Sequence, residues 1–105
     1  MKNLGNMGQM LKMAQKMQQD VARVQEEIAE KTIEATAGGG AVTAVVNGRK
    51  DLISLKINPE VLSPDDAEMV EDMVVAVVNQ AMRQSEEMMA EAMAKVTGGM
   101  KLPLM

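Results

Sequence analysis

The sequence contains no Cys, no His and no Phe, Tyr or Trp, and each absence removes a class of chemistry. Without Cys there is no disulfide and no thiol nucleophile. Without His there is no imidazole base and no His/Cys cage for a soft metal. Without aromatic rings there is no platform on which bases or sugars could stack. No apolar run reaches the ~18 residues of a membrane-spanning helix. The opening Met1-Lys2-Asn3-Leu4-Gly5-Asn6 leads into polar and charged residues rather than the apolar core of a secretory leader. These absences predict a cytoplasmic chain with no membrane partner. The only serines, Ser54, Ser63 and Ser85, have no base in the sequence to activate them. No catalytic constellation is present, so the expectation is a protein that is not an enzyme, with no cofactor, no metal and no small-molecule substrate.

What is present is 105 residues, enough for one domain, with 47% hydrophobic and 25% charged residues and 13 Met. From Met7 the apolar positions run Met10, Ala14, Met17, Val21, Val24 and Ile28, in steps of three and four. That spacing predicts a helix over about 7–31 with a seam along one face, and Gly5, Asn6 and Gly8 predict a frayed start. The period then becomes two. Strands are predicted over about 32–37, 41–47 and 51–57, separated by Gly38-Gly39-Gly40 and by Asn47-Gly48, a hairpin signal. On the third strand, Ile53, Leu55 and Ile57 share one face, with Ser54 and Lys56 on the other. Ser63-Pro64-Asp65-Asp66 reads as a helix start with Ser63 as N-cap. The helix that follows spans about 64–97, carries Ala67, Val70, Val74, Val77, Ala81, Met88 and Ala92 on its seam with Ser85 among them, and stops at Gly98-Gly99. The tail, 98–105, is too short to fold alone and is expected to be mobile or docked on a partner. The fold class is therefore α+β: a long helix, a three-stranded antiparallel meander and a second long helix in a single domain.

Length constrains the assembly. The second helix is roughly 48 Å long, and the first roughly 36 Å. A compact globule of this size is only about 34 Å across. The second helix must protrude and the first has no slack. An apolar stripe on a protruding helix, and a small sheet with open edges, both need another chain to cover them, which predicts a homo-oligomer, most simply a two-fold homodimer.

The formal charge of −4 hides an asymmetry. Lys2, Lys12 and Lys16 precede the first acid at Asp20. The second helix carries Asp65, Asp66, Glu68, Glu71, Asp72, Glu86, Glu87 and Glu91 against Arg83 and Lys95. Lys12, Lys16 and Gln19 stand away from the apolar seam, where they are either a solvated face or a contact to a phosphate backbone. Arg49-Lys50 at the hairpin tip is a polar turn or a second such contact. The Met7-Met10-Met13-Met17 spacing resembles a thioether copper site, but Met13 is rotated by about 60° from Met10, and core or interface filling explains the residues better. A groove lined by Met that accepts partner helices is the sharper alternative. The three glycines lead into a strand rather than the Lys-Ser or Lys-Thr and helix of a nucleotide loop, and Asp65 and Asp66 belong to a helix start.

Six local words occur in order: the Met/Gln/Lys-rich helix from Gly5-Asn6-Met7 to Gln25-Glu26-Glu27, Ala37-Gly38-Gly39-Gly40, Val45-Val46-Asn47-Gly48, Ile57-Asn58-Pro59-Glu60-Val61-Leu62, Glu71-Asp72-Met73-Val74-Val75-Ala76-Val77-Val78-Asn79-Gln80-Ala81 and Thr97-Gly98-Gly99-Met100. Together they resemble the YbaB/EbfC family of bacterial nucleoid-associated proteins over essentially the whole chain. The resemblance implies a tweezer-like homodimer that binds double-stranded DNA in the nucleoid without catalysis and without strong sequence preference, and that influences gene expression. It implies DNA contacts on the helical arms: Lys12, Lys16 and Arg23 on the first helix and, with less weight, Arg83 and Lys95 on the second. The sequence departs from the family in lacking the Phe that members often carry near Val77-Val78, and in its acidic second helix. With about four to six phosphates neutralised per dimer, binding is expected to be weak and steeply salt-dependent. The competing expectation is a protein–protein adaptor that uses its Met-lined helices.

Overall fold

A computed structural model describes the backbone of residues 2–98 and the side chains of residues 6–98. The chain forms α1 (Lys2–Glu30), β1 (Thr32–Ala37), β2 (Val42–Asn47), β3 (Leu52–Ile57), single 3-10 turns at Pro59–Val61 and Pro64–Asp66, and α2 (Ala67–Val96). The three strands make one antiparallel sheet with β2 in the centre, so the expected α-β-β-β-α order is the observed one. Gly38, Gly39 and Gly40 all take positive φ, which lets β1 turn back into β2 without side-chain strain. At the second hairpin the Asn47 side-chain oxygen accepts from the backbone N–H groups of Arg49 and Asp51, at 2.9 and 3.0 Å. That side chain holds the turn that lets β3 pair with β2.

The core is small and built from small residues. Ala35, Val42, Ala44 and Val46 of the sheet meet Val77 and Ala81 of α2, with Ile33, Val74, Val78 and Met82 packed around them. Alanines at the contact let the helix lie close to the sheet, and β-branched valines fill the pleat between them. α2 covers β1 and β2 and makes little contact with β3. It then passes the β2–β3 hairpin, where the buried Ser85 hydroxyl donates to the Asn47 carbonyl at 2.8 Å and Lys50 pairs with Glu86 at 3.1 Å. α1 arrives at the same level: Ile28 and Ala29 are buried, and the Gly48 N–H donates to the Lys31 carbonyl at 3.0 Å. Beyond this junction the outgoing end of α2 runs antiparallel beside the incoming α1, making a two-helix arm. The result is a rod of 78 × 19 × 18 Å.

Four expectations change. α1 begins at Lys2 and passes unbroken through Gly5 and Gly8; a glycine costs a helix about 1 kcal/mol relative to Ala, which weakens it without removing a hydrogen bond as Pro would. Ser63 does not cap a backbone N–H: its hydroxyl donates to the Asp66 carboxylate at 2.9 Å, a 3-10 turn intervenes, and α2 starts at Ala67. A register shift at Val45/Val46 puts Leu52, not Ile53, opposite Val46, so β3 does not alternate cleanly. α1, rather than α2, is the helix that reaches furthest from the sheet, because α2 spends its first half crossing it. The expected mobile tail lies, apart from Gly98, outside the described residues.

Candidate nucleic-acid interface

At 100° per residue, the α1 seam of Met10, Met17, Val21 and Ile28 lies on one side of the helix, and Lys12, Lys16, Gln19 and Arg23 lie on the other. Beside α2 this stripe faces away from the packed seam, and beyond the end of α2 every described side chain of α1, Lys12 and Lys16 included, is exposed. Lys12 and Lys16 are one turn apart, about 6 Å between Cβ atoms. Both are exposed, and among the described residues neither has an acidic partner within ion-pair distance.

Arg23 continues the stripe but is engaged. Its guanidinium lies 3.6 Å from Asp20 and 3.2 Å from Glu27, on either side of it along the helix. The hairpin-tip cations are engaged as well, Arg49 with Glu30 at 3.2 Å and Lys50 with Glu86 at 3.1 Å. Such exposed pairs contribute little stability, yet they cancel positive charge where a phosphate would seek it. Arg83 and Lys95 are exposed on α2 and enter no described ion pair. Lys95 sits in the last turn, where a cation is favoured by the helix dipole. Arg83 lies about 18 Å further back along the axis, near the sheet. The fold thus gathers Lys12, Lys16 and the Arg23 position on one face, brings Lys95 to the same arm, and leaves Arg83 apart.

Two features of the arm carried no separate signal in the residue pattern. Leu11 joins Met7, Met10 and Met13 as an exposed apolar side chain near the end of the arm, all between 61 and 70% exposed. Gly48 does more than turn the hairpin. A Cβ there would collide with the backbone carbonyl of Ile28 and with Ala29 Cα, so only glycine lets α1 seat against β2. Among the described residues no group of three or more acidic side chains could hold a metal ion, and no helix is long and apolar enough to cross a membrane.

The model of the YbaB/EbfC DNA-binding family matches residues 2–100. A nucleoid-associated protein of Thermoanaerobacter pseudethanolicus is 56% identical over 98 residues, which covers 93% of this chain and 88% of that one. One from Pelotomaculum thermopropionicum is 50% identical over 99 residues, covering 94% of each. The crystal structure of an uncharacterized Helicobacter pylori protein superposes with a TM-score of 0.66 at 22% identity, over 76% of this chain and 84% of that one, a likeness of fold.

Proposed function

The chain belongs to the YbaB/EbfC DNA-binding family, and from that premise we propose that it binds double-stranded DNA as a homodimer, associates with the nucleoid and performs no catalysis. The observation that carries this reading is the exposed Lys12–Lys16 pair, uncompensated by any described acid, on the polar face of the arm. Lysines one turn apart can follow a phosphate backbone, and Gln9, Gln15 and Gln19 nearby add neutral donors. Nothing in this set reads base edges: among the described residues there is no recognition helix placed by a turn and no zinc finger, and Arg83, the arginine outside the described ion pairs, stands apart from the Lys12–Lys16 face. Binding is accordingly largely independent of sequence, and any influence on gene expression follows from occupancy or DNA shape. Arg23 contributes only by exchanging Asp20 and Glu27 for phosphate, and Lys95 and Arg83 are secondary contacts.

The dimer is supported by β3. This edge strand exposes Leu52, Ile53 and Leu55. A two-fold partner that covers this face would also protect the free edge.

The test is fluorescence anisotropy with a labelled 30-base-pair duplex at about 50 and 200 mM salt. If two copies place Lys12 and Lys16 on about four phosphates, affinity should fall about 100-fold between those salts. Lys12→Glu with Lys16→Glu should abolish binding while sedimentation still shows the dimer. Unchanged binding by that variant would overturn the assignment of the site. An adaptor reading is favoured by the exposure of Met7, Met10 and Met13; under it the wild type would not bind the duplex even at low salt.

A further inference from the structure

The arm is not covered to its end. At the hairpin, Ile28 of α1 and Ser85 of α2 stand at one level. Running outward from there, α2 ends at Val96, about level with Met17. Met17 is half-buried, and every described side chain before it, 6–16, is exposed. Over 6–16, about 16 Å of α1, no described part of the chain therefore covers the helix. A lone helix of about fifteen residues is marginal in water by propensity, and this one contains Gly5 and Gly8.

The apolar surface also broadens where the cover ends. Met17, Val21, Val24 and Ile28 fall within about 60° of the helix circumference, a narrow seam suited to one neighbour. Met7, Met10, Leu11, Met13 and Ala14 spread over about 160°, the width of a helix buried by more than one. The outer stripe continues the seam already packed against α2, and its residue types are those with which α2 covers that seam: Met88, Ala92, Met93 and Val96, all half-buried. The uncovered end of α1 thus presents the kind of surface that α1 itself binds. Lys12 and Lys16 point the opposite way, so two such ends packed seam to seam keep their charges on opposite outer faces, beyond the ~8 Å screening length at physiological salt.

We propose that the outer third of α1, 6–17, is a second self-association surface, on which the same segment of another copy packs antiparallel, so that the chain assembles beyond the dimer without DNA. Only the count of copies rests on the homodimer reading. Met-rich contacts of this area are adaptable and weak, so the assembly depends on concentration, and it leaves every Lys12–Lys16 pair free.

Sedimentation equilibrium of the full chain without DNA, from about 1 to 500 μM, should show mass rising above two copies. Met10→Glu with Ala14→Glu should stop growth at two copies, weakening the higher association at least ~10-fold, whereas Met10→Leu with Ala14→Leu should preserve or tighten it. Because the chain has no Cys, a single Met10→Cys should form a disulfide between copies under mild oxidation, and Gln15→Cys, on the polar face, should not. A wild type that never exceeds two copies, equal cross-linking at both positions, or a Glu variant that falls to single chains overturns the proposal, the last by making the arm end the dimer seam itself. Failure here leaves the salt-dependent duplex titration unaffected, so the two readings fail separately.

Discussion

Along α1, Val21 and Val24 are half-buried and Ile28 is buried as the helix nears the sheet, whereas Met7, Met10 and Ala14 repeat the same spacing on the same face and stay in water. The two stretches differ in what lies opposite them rather than in periodicity. α2 starts at the far end of the sheet and crosses β1 and β2 before it reaches the hairpin at Ser85, so only the remainder is left to cover α1. They differ also in side-chain type. The covered stretch uses β-branched residues with restricted χ1, which fit one geometry, and the uncovered one uses Met, which adapts to several. A hydrophobic period thus marks the face that seeks cover. The length of the neighbouring helix decides where cover within the chain ends.

The comparison would break if the two ends responded alike to a buried charge. Val77 is completely buried in the core, and Met13 is 70% exposed on the arm. Val77→Asp places a carboxylate among Ala35, Val42 and Val46 with no partner, and should abolish cooperative unfolding at 25 °C by circular dichroism. Met13→Asp should change stability by no more than about 0.5 kcal/mol. A comparable loss at Met13 would mean that the arm end folds as one unit with the core.

A smaller effect tests the joint between the two regions. Gly48→Ala forces a methyl group onto the Ile28 carbonyl, which is backbone and can yield only if α1 moves away from β2. Overpacking of this kind costs about 3 kcal/mol, read as a lower urea midpoint. Gly39, whose Cβ would meet nothing but whose φ is +67°, provides the contrast: Gly39→Ala carries only the left-handed backbone cost, about 1 kcal/mol. Equal losses at the two glycines would show that the close approach at Gly48 is not what fixes the arm.

The same contrast separates what local sequence specifies from what it leaves to the fold. The α-β-β-β-α order was legible because the hydrophobic period changes from helix to strand and back, and Gly or Pro marks every boundary except that of α1 with β1 at Lys31. The Lys12–Lys16 face was legible because three- and four-residue steps separate it from the seam by simple rotation. The ion pairs that engage Arg49 and Lys50 were not: Glu30 and Glu86 come from other elements, brought near only by the turn at the hairpin. Arg23 was within reach, since Asp20 and Glu27 stand three and four residues away on the same helix. Asn47-Gly48 read as a turn and nothing more. That Gly48 also receives the backbone of α1 depends on where a helix about twenty residues earlier ends, which no local pattern records.

The smallest expected effect sharpens the comparison most. Gly8 lies in the uncovered stretch, on the polar side, and a Cβ there would meet nothing within 4 Å. Replacing it with Ala should stabilise helix locally by up to about 1 kcal/mol, through propensity alone. If the arm end and the core open independently, that gain stays where it is made. Amide exchange in the outer arm should then slow by about five-fold, while the melting temperature of the core moves by less than about 1 °C. The measurement belongs at low protein concentration, where contacts between copies do not add protection of their own. A melting temperature raised by several degrees would instead couple the two ends of α1 into one cooperative unit, and the lone stretch would have to be held by contacts to the rest of its own chain.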